Sequence, residues 1–389
     1  MKIAFIGNLP PASIFPPNCL KGGRSGVEHP APWMVALLPA LRELTGFQLR
    51  VILCHRAILK RCLVENDGVE YLGIPNPIPA RLGFKSLFYR HSLFTTPALR
   101  EYRPDLVHAY GFETGNALIA TRSGFPVSAF IQGIAELYEP FSQNLDWIDR
   151  KSMVHVERQA VPKVRWAVAE NEFAKRWMLS RNTDAMVDII PHPTREVFFE
   201  KSAPIFGDSI LTVGGLDRRK GMDTLISAFA RVPSKAAKLV ITGDGHLLPK
   251  LRELAASLGI ESRVEFTGGL STPDVIQRMN AARAFVIASR MDTSPNVVSE
   301  AHAIGLPVIG TRVGGIPEMI DEGEDGFLVD CDDTDTMAAR IHTLLEDREL
   351  ARKLGAAGQT KVRTLNDSTR VAEAHVDFFQ KIGKDLGIL

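Results

Sequence analysis

Little in this sequence points to a metal centre, a disulfide framework, a polyanion or a membrane span. Only four cysteines stand among 389 residues, Cys19, Cys54, Cys62 and Cys331, and none forms a CxxC pair or a metal-ligand spacing. Scattered, reduced thiols are the expectation. Aromatic residues make up only 7%. No window reaches the ~18 apolar residues of a spanning helix. The opening MKIAFIGNLPP carries an apolar run far shorter than the roughly 7–15 residues of a secretory leader, so it reads as a first strand. A cytoplasmic location is the expectation. Lys and Arg are spread without a basic tract and the net charge is +1, which excludes bulk attraction to nucleic acid. No acidic metal cluster, internal repeat or low-complexity segment is present, and no covalent nucleophile stands out.

What is present is alternation. The length suggests two domains, at roughly 100–200 residues each. Strand-like runs at Ile3–Ile6, Leu49–Cys54, Leu106–Ala109 and Val127–Ile131 are interleaved with helical runs at Met34–Leu44 and Ala117–Arg122. The pattern restarts at Ile210–Val213 and continues through Leu239–Thr242, Val264–Thr267, Ala284–Ala288, Val308–Thr311 and Phe327–Val329. Such alternation predicts an α/β fold of two doubly wound, Rossmann-like domains with a cleft between them. The Pro-rich, aperiodic stretch near 192–207 reads as the linker. Expected boundaries are 1–195, 205–365 and a C-terminal helix over 366–389, which could cross back to the first domain.

Three strand-end motifs in the second half converge on one chemistry. In SRMDTSPNVVSEAHAIGLPVIGTRVGGIPEMI, Asp292 falls in a loop before a helix, with Ser294 as N-cap, Pro295 at the first turn and Gly305 as the stop. Glu300 shares a helix face with Val297 and Ile304. A half-buried acid there suits the vicinal hydroxyls of a ribose, or else an internal salt bridge or a helix-dipole contact. VGGLDRRKG sets Arg218, Arg219 and Lys220 beside Gly214 and Gly215, as a phosphate site or as a solvated basic loop. VGGIPE repeats the strand–glycine–Pro pattern with Gly314 and Gly315. Anion site, cation loop and diol-binding acid together fit a nucleotide diphosphate carrying a sugar.

From about Ile210 to Gly358 the chain resembles the donor-binding half of family 4 retaining glycosyltransferases (GT-B fold, glycosyl transferases group 1). The text that carries the resemblance is TVGGLDRRKGMDTLISAF, LVITGDGHLLPKLRELAASLGIESRVEFTGGLSTPDVIQRMNAARAFVIAS, MDTSPNVVSEAHAIGLPVIGTRVGGIPEMI and EDGFLVD. The first half fits in outline, with a Gly22–Gly23 loop, RPDLVHAYG and PVSAFIQGIAEL. The resemblance implies sugar transfer from a UDP- or GDP-linked donor to an acceptor hydroxyl of a glycan, glycolipid or small molecule, as in polysaccharide biosynthesis. It implies retention at the anomeric carbon, a front-face route and no cofactor or metal.

It also implies roles. Glu300 holds the ribose, Asp292 the donor sugar and Lys220 the phosphates. Ser294, Pro295, Asn296, Val297, Gly314 and Gly315 border the same pocket, backbone near Val264–Gly268 holds the base, and Gly22 and Gly23 face the diphosphate. Lys220, Asp292, Glu300 and Gln132 form the expected catalytic set. Three positions depart from the family pattern: Gly215 replaces a second phosphate cation, Gln132-Gly133 a His-Gly pair, and Asp292 a glutamate. Acceptor candidates are His29, His108, Tyr110, Glu113, Gln132 and Glu136. The segment from Arg81 to Arg103 has five cations against Glu101, interleaved with aromatics, and could lie on an anionic membrane beside a lipid-linked acceptor, or be an ordinary amphipathic helix. Competing expectations are a sugar-nucleotide-binding scaffold without turnover and a nucleotide-sugar epimerase or phosphorylase on the same fold. A dinucleotide dehydrogenase fits less well, because the first strand ends in Gly7-Asn8-Leu9-Pro10 rather than GxGxxG.

Overall fold

A computed structural model of the chain describes residues 1–7, 9, 11–21, 33–78, 80–143 and 145–389. It divides into two compact units, Met1–Pro193 with Ser368–Leu389, and Thr194–Asp367. No described helix is long and apolar enough to cross a membrane.

The first unit is built on eight strands: β1 (Lys2–Ile6), β2 (Gln48–His55), β3 (Cys62–Asn66), β4 (Val69–Pro75), β5 (Leu106–Tyr110), β6 (Val127–Ile131), β7 (Trp166–Ala169) and β8 (Met186–Ile189). Their order is β3-β4-β2-β1-β5-β6-β7-β8. All neighbours are parallel except β3 and β4. β5 and β6 are buried at every position, as parallel strands covered on both faces must be. β3, β4, β7 and β8 go beyond the strands expected from the sequence. The β3–β4 hairpin turns at Asp67 and Gly68, both with positive φ, which is the two-residue turn that matches strand twist. The last helix, Ser368–Asp385, belongs to this unit: Val371, Phe378, Phe379 and Ile382 bury against Ile3, Phe5 and Leu38.

The second unit has β9 (Ser209–Val213), β10 (Lys238–Thr242), β11 (Val264–Gly268), β12 (Ala284–Ile287), β13 (Val308–Thr311) and β14 (Gly326–Val329). They form one parallel sheet in the order β11-β10-β9-β12-β13-β14. The stretch read as a linker starts this unit: the helix Glu196–Glu200 buries Phe198 and Phe199 in its core. In such an order the strand sequence reverses between β9 and β12, and a crevice opens outside their carboxyl ends.

Candidate active site

The loop after β9 owes its shape to one acid and one glycine. Asp217 Oδ1 accepts from the backbone N–H groups of Arg219 (2.9 Å) and Lys220 (3.2 Å), which winds Arg218–Lys220 into a single tight turn. Gly221 follows at φ +63, where a Cβ would stand 2.0 Å from the Ala288 carbonyl oxygen. A side chain there would push the loop off the end of β12. The backbone N–H of Arg290 fixes the approach by donating to Arg219 O at 2.7 Å.

That approach brings the cations onto Asp292. Lys220 Nζ lies 2.7 Å from Asp292 Oδ2 and Arg219 Nη1 3.2 Å from it, while Ser289 Oγ donates at 3.3 Å. Asp292 is 6% exposed. Burial alone would raise its pKa, but Lys220, Arg219 and the hydrogen bonds together hold its carboxyl below the ordinary aspartate value. Two cations against one carboxylate leave positive charge unspent, which favours an anionic ligand at this spot. Arg218 is exposed beside them.

The glycine turn after β13 completes this corner. Gly315 N–H donates to Asp292 O at 3.0 Å, and a Cβ on Gly314 (φ +57) would sit 1.8 Å from that oxygen. Next comes the helix Asn296–Ile304, whose N-cap is Pro295 and not the expected Ser294, with no side-chain cap bond, and which stops at Gly305 with φ +89. It buries Val298, Ala301 and Ile304. Glu300 is not sent into water: its side chain is 14% exposed, and Arg195 Nη2 donates to Oε1 at 2.9 Å. The other terminal nitrogen of Arg195 reaches Thr272 Oγ1 at 3.0 Å. The internal salt bridge left open by the sequence is therefore present. At the far edge of the corner, Gly268 O accepts from Gly243 N–H at 2.9 Å.

A model of the family described as "Glycosyl transferases group 1" matches residues 197–361. The lipopolysaccharide core biosynthesis glycosyltransferase LpsD of Rhizobium meliloti is 32% identical over 362 residues, which are 92% of this chain and 96% of that protein. The chain belongs to the glycosyl transferases group 1. A second member, the GDP-mannose-dependent alpha-(1-6)-phosphatidylinositol monomannoside mannosyltransferase of Mycobacterium tuberculosis, is 36% identical over 160 residues, 39% of this chain and 42% of that one. Other curated relatives are likewise matched over less than half their own length. Among solved structures, sucrose-phosphate synthase from Thermosynechococcus elongatus superposes with a TM-score of 0.80 at 20% identity, over 99% of each chain. At that identity the likeness is one of fold, the two-sheet GT-B fold.

Within this group 1 chain the expected site residues separate. Arg218, Arg219, Lys220, Gly214, Gly215, Gly268, Asp292, Ser294, Pro295, Asn296, Val297, Glu300, Gly314 and Gly315 all belong to the second unit. Gln132, His108, Tyr110, Glu113 and Glu136 belong to the first. Gly22, Gly23 and His29 lie outside the described residues. Two acceptor candidates are corrected. His108 is 0% and Tyr110 1% exposed. They sit on β5, whose two faces are both covered, and His108 Nδ1 shares a hydrogen bond of 2.8 Å with Ser128 Oγ while its ring packs on Phe5 and Phe379. Neither side chain presents a surface to a ligand. Glu136 is spent internally on the Trp177 indole at 2.7 Å and on Arg181 and Arg158.

Glu113 remains at the carboxyl end of β5. Burial pushes its pKa up to about 7, against the pull of the Glu113, Gly133 and Phe112 backbone N–H groups. Glu157 lies close enough to couple to it and is raised further, to about 8, again chiefly by burial. It accepts from Ala135 N–H at 2.6 Å and Glu136 N–H at 3.2 Å, so it holds the segment that follows Gln132 and Gly133. Glu157 was not expected from the sequence. An acid on an amphipathic helix, Trp147–Ala160, gives no sign there of facing inward. Among the described residues, no group of three or more His, Cys, Asp or Glu side chains is arranged to hold a metal ion.

Proposed function

We propose that this protein transfers a sugar from a nucleotide diphosphate sugar to an acceptor hydroxyl, with retention at the anomeric carbon. The observation that carries the reading is the meeting of Lys220, Arg219 and Asp292 where strand order reverses. Lys220, with Arg219 and Arg218, takes the donor diphosphate and the charge that grows on it as the anomeric carbon–oxygen bond breaks. Asp292 exchanges part of its hold on those cations for the donor sugar hydroxyls. Glu300 accepts from the ribose diol, and backbone groups near Gly268 receive the base. The acceptor hydroxyl forms the new bond to the anomeric carbon on the same face and passes its proton to the departing phosphate. In this reading protein cations do the work that a divalent ion does in other transferases, so chelation with EDTA leaves turnover unchanged.

The donor nucleotide is UDP or GDP; the GDP-mannose dependence of the mycobacterial relative supports the guanine form. The acceptor is a glycan or a lipid-linked saccharide. A lipid-linked acceptor is supported by the first unit's exposed Tyr89, Leu93 and Trp147, and by a groove lined by Lys85, Leu87, Trp147, Ile148, Lys151 and Arg158. Apolar tips among cations suit the surface of an anionic bilayer.

Calorimetry and turnover with a panel of UDP- and GDP-sugars test the reading. Glu300→Ala is expected to weaken donor binding about 10- to 100-fold with the fold retained. Unchanged donor affinity in that variant defeats the assignment. Tight donor binding with neither transfer nor hydrolysis across all acceptors would make the protein a sugar-nucleotide-binding scaffold instead.

A further inference from the structure

Arg195 lies two residues before the part of the chain that the family model matches, in a stretch whose sequence reads as a linker. Its place is nonetheless well determined. The preceding residue, Thr194, is 3% exposed and its N–H donates to Asn366 O at 2.8 Å. The carbonyl of Arg195 accepts from Phe198 N–H at 3.1 Å in the helix that follows. The guanidinium lies over the ring of the fully buried Phe198, 4.9 Å from its centroid. From there it reaches two helices, donating to Thr272 Oγ1 at 3.0 Å and to Glu300 Oε1 at 2.9 Å. Thr272 opens the helix that follows β11, and Glu300 stands on the helix that follows Asp292. One planar, rigid cation thus ties the base side of the corner to its ribose side.

We propose that Arg195 is the positioning residue for the donor ribose: it fixes the carboxylate plane of Glu300 so that the acid meets the ribose diol. This rests on the reading of Glu300 as the ribose contact. A glutamate side chain has three torsions to order, and a guanidinium held by packing removes that freedom before the ligand arrives. A carboxylate oxygen has two lone-pair directions, so Oε1 can accept from Arg195 and still accept from a hydroxyl. The cation also gives the acid a charged partner at 2.9 Å when the nucleotide covers it. Arg195 touches neither phosphate nor sugar in this scheme. Its effect is confined to the ribose.

The test is the ratio of affinities for a ribonucleotide and its 2′-deoxy counterpart, measured by calorimetry with UDP, GDP, 2′-deoxy-UDP and 2′-deoxy-GDP. For the unaltered protein the cognate ribonucleotide is expected to bind about 10- to 100-fold tighter, the range of a charge-assisted hydrogen bond. Glu300→Gln should bring that ratio close to one. Arg195→Met, which keeps an apolar stem over Phe198, should cut the ratio about 10-fold while leaving affinity for the deoxynucleotide within about twofold. Arg195→Lys, which can reach Glu300 but cannot also span to Thr272, should restore part of it. A merely structural arginine would weaken ribo- and deoxynucleotide alike, and that result overturns the proposal. So does an unaltered ratio in Arg195→Met beside a lost ratio in Glu300→Gln, with the ribose reading left standing. An unaltered ratio in Glu300→Gln removes the ribose reading itself and the proposal with it. If Arg195→Met does not fold, the ratio in Arg195→Lys decides by the same criteria.

Discussion

Both sheets reverse their strand order, the first between β1 and β5 and the second between β9 and β12, yet the acids beyond these reversals are treated in opposite ways. In the second unit Asp292 is buried with Lys220 and Arg219 against it, and its carboxyl is held below its ordinary value. In the first unit Glu113 and Glu157 are raised to about 7 and about 8 by burial, with backbone N–H groups as their main compensation. Topology provides a crevice in each case. The loops alone decide whether that crevice is cationic and built for phosphate, or close to neutral and able to donate as well as accept hydrogen bonds. Proteins with one fold therefore differ most in what their strand-end loops carry.

The sharpest way to break this contrast is to remove the cation. Lys220→Ala is expected to lower kcat about 10²- to 10³-fold, measured with saturating donor, because the charge on the leaving phosphate loses its main partner. Retained turnover would move the phosphate site elsewhere. A smaller effect is expected at the backbone. Gly314→Ala places a Cβ in the Asp292 carbonyl at a left-handed φ, so the turn must shift, at a cost of about 1–3 kcal/mol. Donor affinity should fall about 10-fold, while a glycine without such a neighbour, Gly259, tolerates alanine with only the strain of its φ.

The smallest effects are in pH dependence, and the two units should differ in sign. Below about pH 4.5 Glu113 is protonated both folded and unfolded. Between there and about 7 the unfolded chain releases a proton that the folded chain keeps, so stability falls as pH rises. Glu157 extends that window to about 8. Asp292 acts in reverse. Its contribution is present above the ordinary aspartate pKa and is lost as pH falls through its lowered folded value. All four tryptophans, Trp33, Trp147, Trp166 and Trp177, belong to the first unit, so their emission follows that unit alone. Its midpoint should drop between pH 5 and 8, and Glu113→Gln should flatten the drop by about 2–4 °C. Asp292→Asn should leave that slope alone and flatten only the acid side of amide exchange in β9 and β12. A common response of both units to either variant would dissolve the contrast.

How much of this could be read from the sequence follows from the range of each signal. The helix Asn296–Ile304 was legible because its period and glycine stop are local, but its N-cap is Pro295 rather than the expected Ser294, whose hydroxyl turns to Met319. Two of the strand-end motifs, VGGLDRRKG and VGGIPE, were legible because each is a strand followed by glycines, and the third because an apolar strand runs into Ser294-Pro295. The β3–β4 hairpin carried a readable signal in Asn66-Asp67-Gly68 that alternation of strands and helices does not look for. β7 and β8 are four residues each, too short for periodicity to declare itself. Arg195 was invisible because its partner is 105 residues away, and a Pro-rich stretch hides a well-placed side chain. His108 and Tyr110 misled because a polar residue near a strand end looks available until the layer covering it is known.

The chain enters the second unit after Pro193 and leaves it after Asp367, with Thr194 and Asn366 hydrogen-bonded at the crossing. During synthesis the first unit therefore emerges from the ribosome without the helix that supplies Phe378, Phe379 and Ile382 to its interior. Residues 194–367 are a continuous piece and can close around their own sheet before the chain is finished. The part made first is completed last, and until then its open apolar side is what a chaperone would meet.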